Sequence, residues 1–281
     1  MLKTFWLTSI TLIAFAANSL LTRMALGTGA LDAASFVLIR LGSGAIMLLL
    51  LTSYTHKKLT LKVKGEWLAA LMLFAYALTF SFAYLQLDTG TGALLLFGAV
   101  QVTMILLGLR RGEKPHPSEW IGLLAALTGL VYLVLPGLAA PPLLGSGLMA
   151  IAGIAWGIYS LLGKSSKNPI ENTTANFLRS VPFAIGVSLV ALPQLNLSTR
   201  GILLAIASGA ITSGLGYALW YQALKGLSAT QAAIVQLVVP ILAALGGIIF
   251  LEEVFSLRLG IASLLILGGI AIAVVGRRLI T

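Results

Sequence analysis

Apolar tracts of about twenty residues alternate with short polar breaks along the whole chain. A helix rises about 1.5 Å per residue, so one such tract can cross a hydrocarbon core of about 30 Å. Because a bilayer core offers no partners to backbone groups, helices, which satisfy their own backbone, are the expected spans. The pattern predicts an all-α integral membrane protein with ten transmembrane helices.

The predicted spans fall into two sets of five, and the gaps between them are too short to hold an extramembrane domain. Their bounds are Phe5–Leu26, Ala33–Thr52, Trp67–Leu87, Thr91–Leu109, Trp120–Leu135, Leu144–Leu162, Asn176–Leu192, Ile202–Tyr221, Thr230–Leu251 and Leu257–Val275. The first tract follows Lys3 and contains Ala14-Phe15-Ala16, which resembles a secretory cleavage site. It continues to Leu26, which favours a structural helix.

Composition supports the membrane assignment. Of 281 residues, 59% are hydrophobic and 9% are charged, against about 25% charged in an ordinary soluble domain. The chain has no cysteine, which excludes disulfides, thiolate metal ligands and cysteine nucleophiles. A net charge of +10 could indicate nucleic-acid binding, but the basic residues lie in short gaps rather than on one stripe, so we expect no nucleic-acid partner.

The placement of lysine and arginine predicts the orientation. With the N-terminus inside, thirteen of the eighteen basic residues fall on the cytoplasmic side, while Arg23, Arg200 and Arg258 fall on the other. Arg40 and Arg179 lie within spans. The positive-inside rule therefore predicts a multi-pass protein of the cell inner (plasma) membrane with both termini cytoplasmic.

An internal repeat relates the two halves at a shift of about 140 residues. Residues 13–23 lie over residues 154–164 with five identities in eleven, Arg40 lies over Arg179, and Glu113 lies over Glu253. Five helices per half is an odd number, so the second half must be inverted in the bilayer. The repeat predicts domains at 1–139 and 140–281, with a substrate site between them near the midplane.

A set of segments along the chain forms a family-like pattern: Asn18 to Leu26, Gly92 to Met104, Pro240, Glu252, Glu253 and Gly260. In these residues the sequence resembles the drug/metabolite transporter superfamily, in particular its EamA branch and exporters of the YddG type. The resemblance implies export of amino acids or similar metabolites. The first half lacks the family's proline, with Val100 at the equivalent of Pro240, so a helix break there would use Gly98 or Gly92.

Ionisable groups at midplane depth are scarce. All eight acidic residues and both histidines, His56 and His116, fall in predicted loops or at span ends. A proton-coupled exporter usually needs a buried carboxylate or histidine. We therefore expect a central uncharged cavity and facilitative transport, or coupling through a span-end group.

Arg40 and Arg179 are candidate gating residues at repeat-equivalent positions near predicted span starts. Either could guide a carboxylate group into the cavity. The alternative is that each side chain snorkels to the membrane interface.

Aromatic residues are the main candidates for substrate binding. Tyr76, Phe80 and Tyr84 recur at a spacing of four and share one helical face, with Ser81 close by. The further candidates are Trp156, Tyr159, Tyr217, Trp220 and Tyr221. Such rings can hold apolar or aromatic ligands while their polar tips bind an amino or carboxyl group. The alternatives are helix packing or an interfacial belt, above all for Tyr84 and Tyr221.

Asn18 and Gln101 complete the candidate substrate-binding set, because the family-like motifs place them. Polar neutral residues within spans also commonly bond neighbouring helices. Gly92, Gly98 and Pro240 are candidate kink or gating positions.

No phosphate loop, metal-ligand cluster or catalytic triad is recognisable in the sequence, so we expect neither an enzyme nor a cofactor or metal. The sequence predicts a transporter that exports small metabolites, amino acids included, by alternating access. Alternatives are a drug or nucleoside/sugar-derivative transporter of the same superfamily, or a channel or scaffold. Ten helices can enclose a cavity within one chain, so a monomer suffices.

Overall fold

The computed structural model describes residues 2–56, 66–110, 117–137, 140–164, 168–227 and 235–276. Regular structure within them is helical, as the sequence predicted. The helices are α1 Leu2–Leu26, α2 Ala33–His56, α3 Trp67–Ala83, α4 Thr89–Arg110, α5 Pro117–Val134, α6 Leu143–Lys164, α7 Pro169–Val190, α8 Thr199–Leu224, α9 Val238–Leu251 and α10 Leu257–Gly276. A short 3₁₀ turn, Leu192–Gln194, follows α7.

Five helices, α1, α2, α4, α6 and α8, are long and apolar enough to cross a membrane. Four more, α3, α5, α9 and α10, contain shorter apolar segments of 10 to 17 residues. Many large apolar side chains on these helices are exposed, including Ile13, Leu124 and Leu264. An apolar exterior of this kind suits contact with lipid rather than water.

Four predicted boundaries differ from the observed ones by four or more residues, namely the ends of α2 and α3 and the starts of α7 and α9. Helix α7 begins at Pro169, seven residues before the predicted start, because proline is favoured at the first helical position and Glu171 suits the first turn. Arg179 therefore lies near the middle of α7. Helix α3 ends at Ala83 rather than Leu87, since the chain turns after Tyr84. Glu113 and residues 230–234 of the ninth predicted span lie outside the described residues.

The helices pack in a defined set of pairs. α1 packs against α8 and α9, α6 packs against α3 and α4, and α7 packs against α2 and α3. The remaining main contacts join α2 to α8, α4 to α9 and α5 to α10. Helices from both halves of the chain therefore alternate around the centre of the bundle.

Helix α8 is not regular. Its central stretch Ala207–Leu215 is π-helical, between α-helical segments Thr199–Ile206 and Gly216–Leu224. A β carbon at Gly209 would lie 2.1 Å from the Arg40 carbonyl oxygen and from Ser43 Oγ. Glycine at this position therefore lets the π-helical stretch lie directly against α2. Such stretches often occur at functional sites.

The segments that follow α1, α3, α5, α7 and α9 meet at one end of the bundle. Leu31 and Leu197 form a β-bridge, and the Asn196 N–H donates to Asp32 Oδ2 at 3.2 Å. Arg23, at the end of α1, contacts the loops after α3 and α9, and Arg258 donates to the Leu135 carbonyl after α5. We call this end the Arg23 end.

Candidate functional site

A pocket lies between α1, α3, α4, α6 and α8. Its lining residues are Phe15, Asn18, Ser19, Tyr76, Phe80, Leu96, Phe97, Trp156, Thr212 and Tyr217. We call this pocket the chamber. None of these lining side chains is formally charged, and both halves of the chain contribute to them. Five of the predicted substrate-binding residues, Asn18, Tyr76, Phe80, Trp156 and Tyr217, line it.

Four aromatic rings pack against one another in the chamber wall. The Trp156 ring centroid lies 4.9 Å from the centroids of both Tyr76 and Tyr217, and both pairs are tilted. Phe15 makes an edge contact with Tyr217, with 5.9 Å between ring centroids. Edge-to-face contacts of this kind are favourable for aromatic rings. They leave an apolar, polarisable surface suited to a planar or apolar solute.

The predicted aromatic face of α3 is confirmed. Ring centroids lie 5.2 Å apart for Tyr76 and Phe80, and 4.8 Å apart for Phe80 and Tyr84. Tyr84 is 0% exposed and its hydroxyl donates to the Thr89 carbonyl. The interfacial-belt alternative for Tyr84 is therefore wrong, although Tyr84 packs beyond the chamber lining.

Asn18 joins three helices at the chamber wall. Its Nδ2 donates to Tyr76 Oη at 3.3 Å, and its Oδ1 accepts from Ser208 Oγ at 2.8 Å and Thr212 Oγ1 at 3.3 Å. The bonds to Ser208 and Thr212 reach the π-helical stretch of α8. Asn18 therefore both lines the chamber and bonds neighbouring helices.

Arg40 lies directly behind the chamber wall and is 1% exposed. Its guanidinium carbon sits 5.1 Å from the Tyr76 ring centroid and 5.0 Å from that of Phe80. Nη2 donates to Tyr76 Oη at 3.1 Å and Nε donates to Ser213 Oγ at 3.3 Å. Nη1 has no hydrogen-bond partner among the described residues. The snorkelling alternative is therefore wrong for Arg40.

The two rings account for much of the stability of this buried cation. A charge within a span costs about 2.5–3.5 kcal/mol on insertion scales, and a desolvated cation–π contact contributes about 2 kcal/mol. Two such contacts offset the cost without a carboxylate. The unpaired Nη1 still carries the penalty of a buried donor, about 1–3 kcal/mol. The Nη1 donor stays without an acceptor among the described residues.

Arg179 has different surroundings, although it is the repeat equivalent of Arg40. Its guanidinium carbon lies 5.5 Å from the Trp67 ring centroid, and Trp67 is 62% exposed. Arg179 is only half-buried and is not part of the chamber lining. The structure therefore does not bring the two predicted gating arginines to equivalent places.

A cluster of charged side chains lies at the Arg23 end of the bundle. Arg23 contacts Asp88 Oδ1 at 3.3 Å and Glu253 Oε1 at 3.5 Å. The Glu253 carboxylate accepts from the Thr89 N–H at 2.8 Å and from Thr89 Oγ1 at 2.9 Å. Thr89 begins α4, so the carboxylate satisfies a first-turn donor and opposes the positive end of that helix. We call Arg23, Asp88, Thr89 and Glu253 the charged corner.

The other predicted binding residues pack around the chamber rather than line it. Tyr159 lies 5.5 Å from Trp156 between ring centroids, and Trp220 lies 5.9 Å from Phe15. Tyr221 is half-buried and packs against the core. The remaining two, Ser81 and Gln101, are buried outside the lining, and the Ser81 hydroxyl donates to its own helix.

The predicted kink positions have distinct local structures. Helix α4 is continuous through Gly92 and Gly98. A β carbon at Gly92 would lie 2.5 Å from the Tyr84 ring, so this glycine permits a close approach. Pro240 is the third residue of α9, and Leu237 before that helix is in a turn. Because proline lacks an N–H, it is tolerated in this first turn.

Sequence reasoning missed several lining residues. Phe15 and Ser19 flank Asn18 on the same helical face, a spacing that could have indicated them. Thr212 is a polar residue within a span, and nothing in its sequence surroundings separates it from residues that bond neighbouring helices. Leu96 and Phe97 carry no chemical signal that separates them from ordinary packing residues.

Metal binding has no support in the part of the chain that the structure describes. Those residues contain no group of three or more His, Asp or Glu side chains able to hold an ion. The aromatic and amide lining of the chamber is suited to binding a solute rather than to bond-making chemistry.

Comparisons with known proteins agree with a transport role. A family model described as the EamA-like transporter family matches residues 143–275. An uncharacterized Pseudomonas aeruginosa protein is 50% identical over 275 residues, which cover 98% of this chain and 96% of that protein. An uncharacterized transporter of Archaeoglobus fulgidus is 31% identical over 196 residues, covering 67% of this chain and 68% of that protein.

A solved crystal structure has the same fold, with a TM-score of 0.68 over 97% of this chain and 98% of the matched chain, at 20% identity. The family match and the relatives named as transporters indicate a multi-pass membrane transporter rather than an enzyme. The chain belongs to the EamA-like transporter family.

Proposed function

We propose that this chain is a secondary transporter that exports small metabolites, in particular amino acids with aromatic or apolar side chains, by alternating access through the chamber. The observation that carries this proposal is the aromatic, amide-bearing lining drawn from both halves of the chain. A site between pseudo-equivalent halves can open to either side when the halves exchange conformations. We propose further that the chain functions in the manner of exporters of the YddG type.

The helix packing supports two inverted repeats, 1–139 and 140–281. Exchanging each helix with the one five places away converts α3–α6 into α1–α8, α4–α6 into α1–α9 and α3–α7 into α2–α8. The pairs α2–α7, α4–α9 and α5–α10 convert into themselves. A packing scheme that survives this exchange is expected of a two-fold pseudosymmetric transporter with ten spans.

The loop contacts support one crossing per helix. Because the segments after all odd-numbered helices meet at the Arg23 end, successive helices run in opposite directions. With most basic residues in the other loops, the positive-inside rule places the Arg23 end outside the inner (plasma) membrane and both termini in the cytoplasm.

Single-cysteine labelling tests this orientation without removing any native thiol. Thr28→Cys, after α1, is expected to react with a membrane-impermeant maleimide in intact cells. Lys225→Cys, after α8, is expected to react only after permeabilisation. The reverse pattern would overturn the proposed orientation, and equal access from one side would overturn the alternation of helices.

Counterflow in proteoliposomes tests the transport proposal. Proteoliposomes that contain the purified chain are loaded with an unlabelled amino acid. They are expected to take up labelled aromatic or branched-chain amino acids in exchange, at a rate that saturates with the outside concentration. Trp156→Ala, in the chamber, is expected to reduce exchange at least tenfold, while the exposed Trp120→Ala leaves it unchanged. Absence of counterflow across an amino-acid panel would refute amino-acid export.

The same vesicles test whether transport is coupled to protons and whether one of the alternative functions applies. Since the described chamber lining has no carboxylate or histidine, we expect facilitative transport. Accumulation driven only by a pH gradient would refute this. Counterflow of lipophilic cations or nucleosides instead of amino acids would favour the superfamily alternatives, and non-saturable flux would favour a channel.

A further inference from the structure

Hydrogen-bond donors outnumber acceptors where Arg40 meets the chamber. Tyr76 Oη accepts from both Asn18 Nδ2 and Arg40 Nη2, so its own O–H must donate elsewhere. Among the described residues, no hydrogen bond donated by the Tyr76 O–H is formed. Arg40 Nη1 is likewise buried without a partner. Two buried donors therefore point to a missing acceptor at this end of the chamber.

The described acidic side chains are engaged or exposed elsewhere. Glu253 and Asp88 face Arg23, and Asp32 accepts from the Ser35 and Asn196 backbone N–H groups. Glu66 and Glu252 are exposed, and Glu171 accepts from Asn168 Nδ2. Nearby acceptor capacity is also used, since Asn18 Oδ1 already accepts from Ser208. Within the described part of the chain, Arg40 thus has no counter-ion.

We propose that Tyr76 and Arg40 form an anion subsite and that the transported solutes are carboxylates with an aromatic or apolar body. This rests on the proposed transport function and names its substrate class. Tyr76 O–H donates to one carboxylate oxygen, because Tyr76 lines the chamber. Arg40, stacked behind Tyr76 and Phe80, supplies the positive charge and acts as a positioning residue. The body of the solute packs against Trp156.

The anion subsite also predicts which solutes the chamber binds poorly. A cation in the chamber would face the Arg40 charge without a described carboxylate to balance it. A neutral amide of the same shape would lose the charge-assisted hydrogen bond that a carboxylate gains. The chamber should therefore discriminate by charge between solutes of nearly equal size.

A matched pair of probes tests the proposal on the purified full-length protein. Thermal unfolding is followed during titration with 3-phenylpropanoate or 3-phenylpropanamide at constant ionic strength. We expect at least tenfold tighter apparent binding of the acid than of the amide. Arg40→Met and Tyr76→Phe are expected to bind the acid and the amide equally well. Arg40→Lys is expected to keep most of the preference for the acid, because lysine retains the positive charge.

A control variant separates specific from general charge effects. Arg258→Met removes another arginine that stacks on a ring, at 5.7 Å from Tyr132, far from the chamber lining. It is expected to keep the preference for the acid. Should Arg40→Met not yield folded protein, Arg40→Lys and Tyr76→Phe still decide the question.

Equal binding of acid and amide to the wild type would overturn the anion subsite, as would full discrimination in Arg40→Met or Tyr76→Phe. Binding of neither probe would overturn it too. Counterflow of amines and amides at the rate of the acids would overturn the subsite while supporting transport. Charge-selective binding without any counterflow would support the subsite and refute the transport proposal.

Discussion

Breaking the ion pair between Arg23 and Glu253 should measurably destabilise the fold. The pair joins the end of α1 to the loop between α9 and α10, with 3.5 Å between Arg23 Nε and Glu253 Oε1. The perturbations are Arg23→Gln, Glu253→Gln and the double variant. Glutamine keeps an oxygen for the Thr89 N–H, so Glu253→Gln removes the charge with little change in shape.

The expected loss of unfolding free energy depends on how deeply the ion pair between Arg23 and Glu253 is buried. Exposed ion pairs contribute about 0–1 kcal/mol, whereas removing one partner of a buried pair costs about 3–5 kcal/mol. The side chains of Arg23 and Glu253 are 21% and 11% exposed, which places the pair between these cases. We expect a loss of about 2 kcal/mol for Glu253→Gln and a coupling energy of about 1–2 kcal/mol in the double-mutant cycle. Glu253→Ala should cost about 3 kcal/mol, because Thr89 then loses its acceptor.

The assay is unfolding of the detergent-purified chain with increasing SDS, followed by tryptophan fluorescence. Glu252→Gln is the matched control, since the neighbouring carboxylate is exposed; its effect should stay within about 0.5 kcal/mol. High salt should reduce the coupling only in part, because partly buried charges are screened less. A coupling energy below about 0.3 kcal/mol at low salt would refute the reasoning.

Three further predictions use the same preparations. Glu252 has a left-handed φ of 55°, so Glu252→Gly should stabilise the chain by about 1 kcal/mol in the SDS titration, and a loss of stability would contradict this. Gly209→Ala places a β carbon 2.1 Å from an α2 carbonyl and should cost about 3 kcal/mol, whereas Gly42→Ala, with nothing within 4 Å, should be tolerated within about 1 kcal/mol. Asn18→Asp places a carboxylate against Tyr76 and should weaken 3-phenylpropanoate binding at least tenfold; unchanged binding would contradict the anion subsite.

Much of the fold follows from patterns that are local in the sequence. Apolar tracts of membrane-crossing length fix the number and type of helices, because lipid leaves the backbone no other way to satisfy its hydrogen bonds. The spacing of Tyr76, Phe80 and Tyr84 likewise predicted a shared face, since four residues make about one helical turn. Both predictions depend on residues close together in the chain.

The remaining features depend on contacts between distant residues. Arg23 and Glu253 are 230 positions apart, and no local pattern indicates that they pair. The distance of Arg40 from the start of its span did not predict its burial. Whether the Arg40 side chain is buried depends on which helix packs against its face of α2. Here the π-helical stretch of α8 covers it, and Gly209 permits the approach. The two glycines of this stretch, Gly209 and Gly214, could have indicated a close approach, but glycines in spans also fit ordinary helix packing.

Arg40 and Arg179 show how a symmetric scaffold can hold an asymmetric site. Both arginines stack on a ring of α3, yet Arg40 stacks on the chamber residues Tyr76 and Phe80, whereas Arg179 stacks on exposed Trp67. Alternating access requires only that the two halves exchange backbone arrangements. A second cation at the equivalent place would add the cost of another buried charge. In the proposed function, the repeat would therefore keep the helix packing in both halves, while Arg40 alone would supply the charge beside the proposed anion subsite.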